Sequence, residues 1–323
     1  MSNYKKISSN IQQLTISNPR VPGKIKWLNI SNPGKEELSF LRKIRIYNFD
    51  FAQLRASSAK VTAERPMIEQ REKYFFLILQ FPVFQKNEIV PAEVDFFISH
   101  GLMVTLHSSN LPALNDFFNL CKKDDSSLLV RGLPSSAILL YELLSKLILY
   151  CYDLIDQNSA KINEMEKTIF SHQQKKAVEK ILELKRNIIN IRRIILNHKN
   201  ILKKIMEMKS KVISTTKLNH YYLGLIEQTK RIWEFTESQK ETIDALNATN
   251  ESLLNYSIND IIKTLTIFSV IILPLSFLAS IFGMNTIDGM PFLSNPNGFW
   301  IVLSLMGIGG LGMILFFVRK KWL

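Results

Sequence analysis

The sequence predicts an α+β cytoplasmic domain, then a long helical stalk and two C-terminal transmembrane helices. Residues 261–282 and 299–318 are apolar runs in which Lys263 is the only charge. Each run is long enough to cross a hydrocarbon core of about 30 Å as a helix. A buried core helix of a soluble protein is the alternative, but charge-free runs of this length are rare there. Between Pro134 and Pro274 the chain has no other proline and only one glycine, which predicts a largely helical stalk.

The charges that flank the two spans predict the orientation. The loop at residues 283–298 has no Lys or Arg, whereas the chain ends with Arg319, Lys320 and Lys321 close together. Positive charge favours the cytoplasmic side, so both termini should be cytoplasmic in a multi-pass protein of the cell (inner) membrane. The N-terminal residues have no apolar segment typical of a signal peptide.

Composition along the chain predicts four segments. They are a flexible N-terminus (1–22), an α/β domain (23–130), a stalk of long helices (131–258) and a two-span transmembrane domain (259–323) with an outer loop at 283–298.

The α/β domain and the stalk each show recognisable element signals. In order, these predict a strand at 24–30, a helix from Asn32-Pro33 to about 43, a short helix at 49–56, a strand at 73–84, a hairpin of 94–99 with 102–107, and a helix at 111–121. In the stalk, polar clusters at 171–174 and 209–216 predict about three helices. The last should start near Leu218 and run on into the first span, and so long a helix needs lateral partners.

The net charge of +13 does not by itself indicate a nucleic-acid-binding protein. The basic pairs have no interleaved aromatic residues and no recognition motif, so a solvated helix face near anionic lipid is the preferred interpretation. The five histidines and two cysteines have no metal-ligand or redox spacing. No residue pattern indicates an enzyme.

The chain carries several distinctive short segments. Gly283-Met284-Asn285 follows a span with a central proline, a second span comes next, and the chain ends Lys320-Lys321-Trp322-Leu323. Further segments are Leu265-Thr266-Ile267, Leu273-Pro274-Leu275, Arg65-Pro66 with Glu69, Tyr74-Phe75-Phe76-Leu77 and Leu184-Lys185-Arg186-Asn187. Together they resemble the CorA family of divalent-cation transporters. The resemblance implies a homopentameric funnel in the lipid bilayer, with five first spans lining a pore and the second spans around them.

The resemblance makes Gly283, Met284 and Asn285 the selectivity filter, where Asn285 holds a hydrated ion through its water shell. Mg²⁺ gives up its water reluctantly and prefers oxygen, so an amide that contacts the hydrated ion suits it. The alternative is a plain turn with Gly283 and Asn285 as helix-end residues. The expected cargo is Mg²⁺, with Co²⁺ or Ni²⁺, and no covalently bound cofactor is expected.

The first span carries a candidate pore face. Residues recur at steps of three and four: the polar Asn259, Thr266, Ser269 and Ser276, and the apolar Ile262, Leu265 and Leu273. The polar members are expected to bind a hydrated ion and the apolar members to form a hydrophobic gate. Alternatively, Ser269 and Ser276 bond back to their own helix or to a neighbour.

Transport through such a pore needs no nucleotide, because a divalent ion crossing 100 mV gains about 4.6 kcal/mol. The GxGxxG at Gly307–Gly312 lies inside a span and follows no strand, so it indicates close helix packing rather than a nucleotide site.

Some positions depart from the family pattern. Ser57, Ser58 and Gly224 stand where family members that sense cytoplasmic Mg²⁺ carry acids, and Met290-Pro291-Phe292 replaces Met-Pro-Glu in the outer loop. Two other functions therefore stay open. One is Zn²⁺ transport in the same fold, with or without proton coupling, and the other is a membrane-anchored coiled scaffold or sensor that conducts no ion.

Overall fold

The computed structural model describes residues 2–17, 24–43, 66–108, 110–123, 135–171, 173–208, 215–284, 291–292 and 295–322. The chain divides into two compact units, Met1–Leu246 and Asn247–Leu323.

The first unit is built on a seven-stranded sheet. Its strands are β1 (Ser2–Lys6), β2 (Ile11–Ser17), β3 (Lys24–Ser31), β4 (Met67–Gln70), β5 (Tyr74–Gln85), β6 (Glu88–Ser99) and β7 (Leu102–His107). Their order across the sheet is β1-β2-β3-β7-β6-β5-β4. Among these described strands only β3 and β7 pair in parallel; the hairpin predicted at His100-Gly101 is confirmed as the β6–β7 pair.

The prediction of an irregular N-terminus at residues 1–22 is wrong for β1 and β2. The two strands pair antiparallel with each other, and β2 pairs with β3. Ser8 Oγ accepts the Ile11 N–H at 3.1 Å in the intervening turn. Ile11, Leu14 and Ile16 are buried, but adjacent glutamines make the apolar pattern of β2 too weak to read without its partner strands.

The first helix follows β3 as predicted but begins later than expected. This helix, α1, spans Lys35–Lys43, so Pro33 is not its first residue. Asn32 has a φ of 49°, and the Gly34 N–H donates to Glu37 Oε2 at 2.9 Å, which closes the first turn. The helix predicted at 49–56 lies outside the described residues.

Both faces of the sheet are covered by apolar side chains. One face packs Trp27, Phe75 and Phe96 with the helices α2 (Pro112–Lys122) and α3 (Ser136–Phe170). The other face packs Leu28, Phe76 and Phe97 with α1. This double burial explains why the central strands are almost wholly apolar.

The helical region contains one more break than predicted. Its helices are α3, α4 (Gln174–Ile195), α5 (His198–Glu207) and α6 (Thr215–Phe282). The break between α4 and α5 has no proline or glycine, and Leu196 keeps helical dihedral angles. His198 is buried and lies 2.7 Å from the Gln80 carbonyl of β5, so tertiary packing rather than a local breaker marks this position.

The long helix α6 confirms that the last stalk helix and the first span are one helix. It starts at Thr215, near the predicted Leu218, and ends at Phe282. The second span is α7 (Gly298–Arg319).

Candidate functional site

Within the described part of the chain, two helices are long and apolar enough to cross a membrane. The segments Asn219–Phe282 and Gly298–Arg319 contain windows of mean hydropathy 2.4 and 2.5, and only 6% of each window is buried. A core helix of a soluble protein would be mostly buried. The exposure of both windows is therefore consistent with helices that cross a membrane.

Each span buries or half-buries one narrow stripe of side chains within the second unit. In the first span the stripe consists of Lys263, Ile267, Ile271, Leu275 and Leu278, and in the second of Val302, Met306, Gly310, Met313 and Phe317. A Cβ on Gly310 would lie 3.5 Å from Leu275 Cδ1. The three glycines of the GxGxxG pattern itself, Gly307, Gly309 and Gly312, have no described atom within 4 Å of a Cβ position, so close packing within this chain is seen at Gly310 and the packing role of the pattern stays a prediction.

The residues of the predicted pore face all lie on the exposed side of the first span. At 3.6 residues per turn they fall within an arc of about 120° on the side away from the buried stripe. All seven are exposed: Asn259, Ile262, Leu265, Thr266, Ser269, Leu273 and Ser276. The single chain thus leaves this polar and apolar face uncovered.

Two hydroxyls on this face are tied to the helix backbone. Thr266 Oγ1 donates to the Ile262 carbonyl at 2.8 Å, and Ser269 Oγ donates to the Leu265 carbonyl at 2.9 Å. For Ser269 this is the back-bonding considered above as an alternative. Since the hydroxyl hydrogen is used, each oxygen offers only its lone pairs to the exterior.

The predicted filter is described only in part. Gly283 donates its N–H to the Ala279 carbonyl at 2.9 Å, and Met284 donates to the Ile281 carbonyl at 3.2 Å. Gly283 does not have a positive φ, but it directly follows Phe282, the last residue of α6, so the alternative interpretation as a helix-end residue in a turn stays open. A Cβ there would lie 3.2 Å from the Ala279 carbonyl oxygen. Asn285 lies outside the described residues.

The end of the first span and the start of the second line an apolar cavity of about 530 Å³, which includes Ala279, Phe282, Phe299 and Met306. Beside it the backbone of Phe292, with a φ of 75°, approaches Gly298 closely. A Cβ on Gly298 would collide with the Phe292 carbonyl oxygen. Sequence reasoning missed this contact, because a glycine in a loop gives no sign of its neighbours.

Comparison with known proteins places this geometry in a family. The family model described as "CorA-like Mg2+ transporter protein" matches residues 22–321. The chain belongs to the CorA-like family. The cobalt/magnesium transport protein CorA of Methanocaldococcus jannaschii is 23% identical over 298 residues, which are 92% of this chain and 91% of that protein. The corresponding protein of Thermotoga maritima is 25% identical over 265 residues, 80% of this chain and 73% of that protein.

Solved structures share the fold. The CorA magnesium transporter of M. jannaschii superposes with a TM-score of 0.82 at 21% identity, covering 93% of this chain and 92% of that one. The ZntB cytoplasmic domain of Vibrio parahaemolyticus gives 0.54 at 14% identity, covering 79% and 98%. The predicted fold class, an α+β domain with a long helix and two apolar C-terminal helices, is confirmed.

The departures from the CorA-like pattern are partly visible. Gly224 lies exposed on α6, and no atom lies within 4 Å of a Cβ built there, whereas Ser57 and Ser58 lie outside the described residues. Within the described part of the chain no three or more His, Cys, Asp or Glu residues group into a metal site.

The described histidines and cysteines that are buried belong to the core. Burial lowers the pKa of His107 and of His198 to about 4, and both rings also bond to backbone carbonyls. Burial raises the pKa of the Cys121 and Cys151 thiols to about 12. Thiols of this kind are poor nucleophiles and poor metal ligands.

Proposed function

We propose that this protein is a passive, membrane-potential-driven transporter of hydrated divalent cations, chiefly Mg²⁺ and also Co²⁺ or Ni²⁺. It works as a homo-oligomer, a pentamer by its resemblance to the CorA family, in which the first spans of all copies surround one pore. The chain crosses the cell (inner) membrane twice, with both termini in the cytoplasm.

The uncovered face of the first span is the observation that supports the proposal most directly. It lies away from the stripe that contacts the second span, and it mixes hydroxyl and amide groups with large aliphatic side chains. A ring of such faces encloses a path that is polar at some levels and apolar at others. This arrangement matches a water-filled conduit with hydrophobic constrictions.

The hydroxyl geometry fits a hydrated cation. Water bound to Mg²⁺ turns its hydrogens outward and therefore needs acceptors around it. Thr266 and Ser269 present acceptor lone pairs, because their hydrogens are bonded to the helix. Ile262, Leu265 and Leu273 are the proposed gate, since a ring of aliphatic side chains closes a narrow pore by excluding water.

The decisive experiment measures ion uptake into proteoliposomes under an imposed membrane potential. Asn285→Ala should reduce Mg²⁺ uptake by about tenfold or more, because it removes the filter's only side-chain amide. Asn297→Ala is the matched control, since Asn297 is an asparagine in the same loop whose side chain does not cap α7. The control should transport Mg²⁺ like the wild type.

The same assay separates the other two functions. Mg²⁺ uptake that Asn285→Ala leaves unchanged contradicts the proposed filter. Zn²⁺ uptake without Mg²⁺ uptake, tested at several pH values, identifies a zinc transporter instead. A monomer that carries no ion identifies a scaffold.

A further inference from the structure

The helix α4 exposes a line of large aliphatic side chains. Leu182 and Ile189 on the helix and Leu196 directly after it are 63%, 48% and 56% exposed. Their spacing of seven residues keeps them on one side over a length of about 21 Å. The other side of α4 is buried with Ile181 and Ile188. We call the exposed side the α4 outer face; a line of this size on a surface indicates an interaction site.

Positive charge accompanies this line. Arg186 and Arg193 are exposed next to Leu182 and Ile189. Arg186 pairs with Glu88 at 2.6 Å, whereas Arg193 forms no salt bridge with any residue that the structure describes. Glu179 is also exposed one turn before Leu182, so the cationic part of the α4 outer face is its end around Arg193, a cation that the described part of the chain does not neutralise.

A surface of opposite character lies between α2 and α3. This α2–α3 groove has a volume of about 480 Å³ and includes Asp116, Leu120, Leu149 and Asp153. Leu120 and Leu149 are 37% and 41% exposed. Both aspartates are without a salt bridge among the described residues.

The charges around the α2–α3 groove are mainly negative. Asp116 and Asp153 line the groove together with Tyr150, and burial, followed by the nearby Asp153, Cys151 and Asp116, raises the pKa of Tyr150. Glu142 lies close enough to raise the pKa of Cys121 further. Lys146 is the one cation among the described residues that line the groove.

We propose that the α4 outer face of one copy of this chain docks into the α2–α3 groove of the next copy. Leucine and isoleucine side chains then fill the apolar part of the groove, and Arg193 approaches the aspartates. The buried side of α4 packs on α3, β5 and β6, so the outer face points away from its own core. This inference rests on the proposed homo-oligomer and assigns a contact within it.

The two surfaces together dictate the symmetry of the assembly. They lie on different elements, so each copy uses both at once, and such head-to-tail contacts close into rings when the rotation permits. A symmetric contact between two α4 outer faces would instead place arginines against arginines. Anionic lipid could neutralise the arginines, but it would leave the acidic groove without a partner.

Cross-linking of the full-length protein in detergent tests the contact. Ile189→Cys and Leu149→Cys are placed on separately tagged chains that are expressed together and treated with a short bismaleimide. Cross-links should join the two different tags. Both native cysteines are buried, which keeps background cross-linking low. In the control pair, Leu223→Cys on α6, which is also exposed but lies outside the proposed contact, replaces Leu149→Cys and should give no cross-link with Ile189→Cys.

Charge reversal then tests the electrostatic part. Asp153→Arg should lower the cross-link yield by about fivefold, the size expected of an exposed ion pair. Adding Arg193→Asp on the partner chain should restore it, while Lys26→Glu, a charge reversal at an exposed residue of β3, should change nothing.

The outcomes separate this inference from the proposed function. An oligomeric, transporting wild type without cross-links between the tags overturns the contact and leaves the transporter intact. Cross-links only between identical Ile189→Cys chains overturn it in favour of a symmetric contact. A wild type that is monomeric by native mass spectrometry overturns both.

Discussion

At the scale of single residues, the buried histidines make the stability of the first unit dependent on pH. Burial holds the pKa of His198 at about 4, against an ordinary value of 6.5. Between pH 6.5 and about 4, the His198 ring is therefore protonated in the unfolded chain and neutral in the folded chain. Stability contributed by neutral His198 is present above pH 6.5 and is lost as pH falls towards 4, by on the order of 3 kcal/mol.

His198→Gln should remove the share of this pH dependence that His198 contributes and leave that of His107, because glutamine can donate to the Gln80 carbonyl and does not titrate. The measurement is the urea unfolding free energy of the first unit in the full-length protein between pH 7 and 4.5. His220→Gln, at an exposed histidine of α6, should keep the wild-type slope. An equal slope in the His198 variant would show that the ring charges freely in the folded state.

Residue types alone predicted which side chains share the exposed face of the first span, since a helix of 3.6 residues per turn determines that grouping. They did not predict where the hydroxyl hydrogens go. Ser269 can donate outward or to its own helix with similar geometry, and only the coordinates distinguish the two. The roles of these residues and of Asn285 in transport stay predictions.

At the scale of elements, the contact between the two spans depends on one glycine. Gly310 is the buried glycine of α7, and its Cβ position lies 3.5 Å from Leu275 Cδ1. Gly310→Leu should therefore separate the spans and reduce both the thermal stability in detergent and the Mg²⁺ uptake. Overpacking a close contact typically costs about 1–3 kcal/mol.

Gly307→Leu is the matched control on the same helix. No atom lies within 4 Å of a Cβ at Gly307, so the larger side chain meets no resistance within the described chain. The control should keep the wild-type melting temperature. Equal destabilisation by both variants would contradict a packing role that is specific to Gly310.

The elements that sequence reasoning identified are those with strong local signals. Strand β5 has an apolar run from Tyr74 to Phe84 that only Gln80 interrupts, and α7 has a charge-free run at residues 299–318. The elements that it missed depend on distant partners. Strand β2 is held by β1 and β3, and the break before His198 is set by a contact with β5.

At the scale of the whole molecule, the proposed gate predicts that the same substitution at two neighbouring isoleucines has different effects on Mg²⁺ flux. Ile262 lies on the predicted pore face, whereas Ile261 lies about 100° away around the helix; both are exposed, at 55% and 67%. Ile262→Asn should raise Mg²⁺ flux several-fold, because a polar ring keeps the constriction wet. Ile261→Asn should leave the flux close to that of the wild type.

Stopped-flow uptake with a Mg²⁺-sensitive dye inside the vesicles measures both variants. Equal rises in the two would indicate a general loosening of the helices rather than a gate. A higher flux for Ile261→Asn alone would place the pore on a different side of the first span.

The backbone-bonded hydroxyls have a consequence for anions. In the proposed pore, chloride entering at the level of Thr266 and Ser269 would meet oxygen atoms whose hydrogens are already committed to Ile262 and Leu265. It would find no donor from these two side chains to compensate for the water it leaves behind. In the proposed pore, two uncharged residues would thus discriminate by the sign of the charge, a task that a ring of carboxylates could also perform.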